Sequence, residues 1–86
     1  MAPTKPVDYL ASTPQQLAQV LRAFRHQVGL SQQQAARNGG LLPKTISALE
    51  SKAQRCNLES LYRLLSALDV ELVLRPKGSG RPAGPW

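Results

Sequence analysis

Lys44, Thr45 and Ser47 lie within one turn of each other on the sequence and carry the chemistry most worth following. A lysine donates to guanine O6 and N7, and a threonine or serine hydroxyl bonds a base edge or a phosphate oxygen. Leu42 and Pro43 just before them suit a thymine methyl or the sugar backbone, and Ala48 gives clearance. Upstream, Ser31 and Gln32 open a helix whose first amides and Gln32 side chain are well placed for a phosphate. Downstream, Lys52 and Arg55 are suited to backbone phosphates beside a groove, or to plain solvation. Arg25 either reaches a phosphate or is a solvated helix charge, and Arg22 reads as solvated.

No second chemistry competes with this. His26 is the single histidine and Cys56 the single cysteine, so a metal site lacks ligands and no intramolecular disulfide forms. There is no base–nucleophile pair, and Gly78-Ser79-Gly80 is too short for a phosphate-cradling loop that continues into Lys-Ser or Lys-Thr. The expectation is a non-enzyme without cofactor or metal. A formal net charge of +6 and a pI near 10.3 favour a polyanionic partner. They also fit an ordinary soluble basic protein. No apolar run approaches a membrane span or a signal peptide, so a soluble, cytoplasmic protein is expected, with no membrane partner.

Eighty-six residues allow one small domain, and a core of that size gains from dimerisation. Thr13 can cap a first helix with Pro14 in its first position and Gln16 closing a capping box. Leu17, Val20, Leu21, Phe24 and Val28 repeat at three and four, an amphipathic face that Gly29 ends. Ser31 caps a second helix with a small apolar face, Ala35 and Ala36, which the pair Gly39-Gly40 stops. A third helix starts near Pro43, with Ile46 and Leu49 facing inward. Asn57 caps a fourth over residues 58–68, with Leu58, Leu61, Leu64, Leu65 and Leu68 as its stripe and Tyr62 at the edge. The fold class is all-α in the main, a four-helix core holding a helix-turn-helix. The first of the paired helices braces, and the second presents small and polar side chains to a major groove.

After the fourth helix the period changes. Val70, Leu72 and Leu74 alternate with Glu71, Val73 and Arg75, the pattern of a strand. A lone strand needs a partner for its amides and carbonyls. The same strand of a second copy supplies one across a two-fold axis, making Val70, Leu72, Val73 and Leu74 dimerisation residues; the N-terminal arm is the alternative. The chain then divides into a flexible arm (1–12), a helix-turn-helix domain with its dimerising strand (13–75, strand 70–75) and a Pro/Gly/Ser-rich tail (76–86). Lys5 in the arm could enter a minor groove, and Tyr9 could dock on the body. Trp86, the only tryptophan, is either an anchor for a partner's pocket or incidental.

Gly29-Leu30-Ser31-Gln32, Ala36, Gly40-Leu41, Thr45-Ile46-Ser47 and Glu50 together resemble the Cro/C1-type (XRE) helix-turn-helix family, from about residue 21 to about residue 68. Ala35 and Gly39 depart from the pattern, where larger or more helix-forming residues are usual, and weaken the local packing. Leu42 and Pro43 replace the polar residues many such repressors use. With the trailing strand and the terminal tryptophan, the whole chain is similar to HipB-type antitoxins. That resemblance implies a homodimer that binds palindromic operator DNA, represses its own operon in the bacterial nucleoid and neutralises a HipA-type serine/threonine kinase toxin, with Trp86 facing the toxin. A phage-type or general dimeric repressor with no toxin partner is the alternative, and an interaction adaptor without DNA binding a third reading.

Overall fold

The computed structural model describes residues 9–77. Four helices follow one another: α1 (Pro14–Gln27), α2 (Gln32–Gly39), α3 (Pro43–Leu49) and α4 (Leu58–Leu68), with a short 3₁₀ turn, Ala53–Arg55, between α3 and α4. Their boundaries follow from the caps. The Thr13 hydroxyl accepts the Gln16 amide at 3.1 Å. The Gln16 side chain reaches the Ser12 amide at 2.7 Å, one residue before the cap, so the expected reciprocal box is not closed at Thr13. At α2 the box is complete: Ser31 accepts the Gln34 amide at 3.1 Å, and the Gln34 side chain accepts the Ser31 amide at 2.8 Å. Asn57 accepts the Ser60 amide at 2.8 Å and starts α4. Asp69 ends that helix in a left-handed conformation, φ 59°, and the Val70 amide returns to the Leu65 carbonyl at 2.9 Å.

The two glycines after α2 have different jobs. Gly40 is the stop, with φ 67°, whereas Gly39 is the last helical residue. A Cβ on Gly39 would lie 2.9 Å from the Arg63 carbonyl oxygen of α4. The absent side chain therefore lets α2 and α4 approach, and Gly39 does not weaken the packing as expected. Gly39→Ala must push a backbone away and is expected to cost about 1–3 kcal/mol, read as a lower urea midpoint.

The core is formed by Leu21, Ala35, Ala36, Ile46, Leu49, Leu61, Leu64, Leu65 and Leu68, with Leu17, Phe24, Leu30, Leu41, Cys56 and Val70 packed around it. Ala35 is fully buried between the helices, so its small size fits the close packing there. Two expected core residues are outside. Val28 is 48 % exposed, because α1 ends at Gln27 and the chain turns away, and Leu58 is 70 % exposed in the first turn of α4. Tyr9 docks on α1 edge-to-face with Phe24, 5.1 Å between centroids, and its hydroxyl accepts from Gln27 Nε2 at 2.9 Å.

Residues 70–76 have no regular secondary structure, and among the described residues of the single chain no strand forms. A ladder needs a second strand to take its amides and carbonyls. Val70 packs on the core, while Leu72, Val73 and Leu74 are exposed. Lys5, the segment Gly78-Ser79-Gly80 and Trp86 lie outside the described residues. Among the described residues no helix is long and apolar enough to cross a membrane.

Candidate nucleic-acid interface

α2 and α3 are fixed to one another by a carboxylate. Glu50, at the C-terminal cap of α3, takes Arg25 Nε on Oε2 at 2.6 Å and Arg25 Nη2 on Oε1 at 3.1 Å. Gln32 Nε2 donates to the same Oε1 at 3.2 Å. Arg25 Nη1 donates to the Leu30 carbonyl at 2.9 Å. Both charged side chains are nearly dry, at 10 % and 4 % exposure. One carboxylate thus ties the end of α1, the first residue of α2 and the end of α3 into one unit.

This corrects the reading of Arg25. It is buried, and its guanidinium is engaged with Glu50 and the Leu30 carbonyl rather than directed to a phosphate. The sequence reading also passed over Glu50 as a structural hub. The signal was available in part: Arg25 follows Phe24 and Glu50 follows Leu49, so each charge stands next to a residue of the apolar stripe.

α3 turns one face to the core and leaves the other open to solvent. Leu42, Pro43, Lys44 and Ser47 are exposed, Thr45 and Ala48 half-buried, and Ile46 and Leu49 buried behind them. Lys44, Thr45 and Ala48 line an open groove whose far wall carries Arg55, Asn57 and Ser60 from the 3₁₀ turn and the start of α4. Arg55 and Lys44 thereby line one groove. Lys52 is exposed just after α3, its amide held by the Ala48 carbonyl at 2.6 Å. The Ser51 hydroxyl donates to the Ser47 carbonyl at 2.7 Å and tightens the same turn. At α2, Ser31 is exposed with its oxygen engaged in the cap, and Gln32 is half-buried with its amide nitrogen on Glu50.

The charge around this surface is mainly positive. No aspartate or glutamate occurs between Asp8 and Glu50, a span that contains α1, α2 and α3. Glu50 is itself neutralised by Arg25. The cations Lys44, Lys52 and Arg55 therefore face solvent with no exposed acid on α1, α2 or α3. The exposed acid in the first turn of α4, Glu59, is paired with Arg63 at 3.0 Å. The excess of cations attracts a polyanion.

These features define a helix-turn-helix with a cationic recognition side. The helix-turn-helix family model matches residues 21–74. The chain belongs to the Cro/C1-type (XRE) helix-turn-helix family, and it carries a DNA-binding domain of that kind. Among curated proteins no sequence matches it. Among solved structures, it is similar to a chain of the HipA–HipB–O2–O3 complex. The identity is 25 %, the TM-score 0.78, and the match covers 83 % of this chain and 100 % of that one. A HipB variant in complex with an O2 20-mer matches with TM-score 0.79 at 25 % identity, over 84 % of this chain and 100 % of that one. The restriction-modification controller protein C.AhdI from Aeromonas hydrophila has 31 % identity and TM-score 0.62, over 67 % of this chain and 88 % of that one. Fold and family point to a regulator rather than an enzyme.

Proposed function

We propose that this protein is an antitoxin and transcriptional autorepressor, which binds palindromic operator DNA as a homodimer and neutralises a HipA-type serine/threonine kinase toxin in the bacterial cytoplasm. The observation that supports the reading is its likeness, across the full length of the matched chain, to a chain of the HipA–HipB–O2–O3 complex. In this reading α3 enters the major groove. Lys44 reads a guanine, Thr45 and Ser47 bond a base edge or phosphate, and Leu42, Pro43 and Ala48 make apolar contacts or give clearance. Ser31, Gln32 and Lys52 hold the flanking phosphates. Residues 70–75 of two copies pair through Val70, Leu72, Val73 and Leu74, and the tail, residues 76–86, presents Trp86 to the toxin.

Two measurements test it. Full-length protein and a version lacking Trp86 are used to pull partners from lysate of the source cell. A kinase-sized partner retained by the first and weakened in the second supports the antitoxin reading, and recovery of DNA alone overturns it. The 31 % identity to a restriction-modification controller favours one alternative, a dimeric repressor without a toxin. That alternative expects deletion of residues 76–86 to leave all activity intact.

Lys44→Ala separates the two roles of a lysine. A base contact predicts a loss of about 1–3 kcal/mol in operator binding with relaxed preference at one position. Equal weakening on every sequence in a competition assay would make Lys44 a phosphate contact instead.

A further inference from the structure

Leu58 belongs by spacing to the stripe of α4, yet it stands 70 % exposed, and Leu10 is 81 % exposed. Leu58 forms the edge of a groove of about 280 Å³ between the start of α1, the 3₁₀ turn and the start of α4, and Ala11, next to Leu10, lines it too. Pro14, Leu17, Leu49 and Leu61 contribute the rest of its apolar wall. Tyr62, 51 % exposed, follows Leu58 one turn along the same side of α4.

We propose that this patch is part of the homodimer surface: Leu58 and Leu10 of each copy seat in the groove of the other. The inference rests on the homodimer reading above and names a surface for it beyond residues 70–75. Two observations favour a second copy over any other occupant. First, the projecting leucines and the groove that would receive them lie on one patch, the self-complementarity that an isologous two-fold contact requires and a different partner does not. Second, none of the residues lining the groove is charged, in a chain of net charge +6. A contact through such a surface places no like charges of two cationic copies against each other, whereas DNA or an acidic partner would be met by cations. The position also suits function. Cys56 and Asn57 line both this groove and the one beside α3, so the contact adjoins the recognition side and holds the two α3 helices in a fixed relation.

Sedimentation equilibrium of the full chain tests this. Leu58→Glu and Leu10→Glu are compared with Leu74→Glu, each checked for fold by circular dichroism. Leu58 and Leu10 are solvent-exposed in the single chain, so the fold is expected to survive. Leu10 lies outside the helices and reads the same surface should a charge at Leu58 disturb α4. The expected result is a dimer dissociation constant raised about tenfold or more by either substitution at the patch. A wild-type dimer that Leu74→Glu loosens while both patch variants leave it unchanged overturns this inference and keeps the homodimer. A wild-type chain that is monomeric at every concentration overturns both. Patch variants that dimerise normally but lose a co-purifying protein also overturn it, and assign the patch to that protein.

Discussion

Glu50→Ala is expected to remove about 3–5 kcal/mol of folding stability, the effect of leaving a buried charge without its partner. The Arg25 guanidinium would remain at 10 % side-chain exposure, with only the Leu30 carbonyl of its three observed acceptor contacts. A domain of this size has a margin of roughly 5 kcal/mol or less, so most of the margin goes. Urea unfolding measures the change through the midpoint, with a small shift in slope. The double variant Arg25→Met with Glu50→Leu is the decisive control. It removes both charges, fills similar volume and is expected to recover most of the loss. DNA binding should not recover with it, because Gln32 loses the Glu50 oxygen that holds its amide nitrogen at 3.2 Å. A Glu50→Ala loss under about 1 kcal/mol would mean that water reaches Arg25 and that the pair is an ordinary surface bridge.

Most of the helical framework was legible because its signals are local. Ser31, Thr13 and Asn57 read as caps and are caps. The stripe of α4 was right at Leu61, Leu64, Leu65 and Leu68, since period alone decides which face is apolar. It failed at Leu58 because burial in a first turn depends on what lies opposite, and there a groove lies opposite rather than a helix. Gly39 was misjudged for the same reason. Its smallness answers to the Arg63 carbonyl, a contact 24 residues away that no propensity encodes. Arg25 shows the limit for charged residues. Position on a helix cannot separate a solvated cation from one held by a carboxylate 25 residues later. Of the candidate interface, the outer face of α3 was readable from the spacing of Ile46 and Leu49, and Arg55 was named beside a groove, whereas its meeting with Asn57 and Ser60 on one wall needed the 3₁₀ turn, which has no strong sequence mark.

The composition of α3 bears on how a sequence would be read. Its cap residue is Leu42, with no side-chain bond to the helix, and Pro43 offers no amide. The helix start therefore brings apolar surface rather than donors to a groove, and Lys44 is the only charged side chain on α3. Direct readout through one cation, two hydroxyls and methyl contacts is sparse, so shape and deformability of the DNA are left a larger share of the preference.

Operator affinity should fall steeply with salt. Lys44, Lys52 and Arg55 are exposed on or beside the groove of α3 in each copy, and the exposed acid at the start of α4, Glu59, is paired with Arg63. Lys52 and Arg55 of two copies would make about four phosphate contacts, which predict a loss of about 10² in affinity between roughly 50 and 200 mM salt; Lys44 on a phosphate would raise this to about six contacts and about 10³. Fluorescence anisotropy on a labelled duplex gives the slope directly. Arg55→Ala is expected to flatten it by about one phosphate per copy on every sequence, because Arg55 sits on the wall of the groove and not on α3. Lys44→Ala should flatten it equally only if Lys44 touches a phosphate, so the two slopes together separate base reading from backbone holding. A binding constant that barely changes across that range would mean that these cations do not touch the backbone. The apolar and hydroxyl face of α3 would then carry the contact alone, too little for a stable complex.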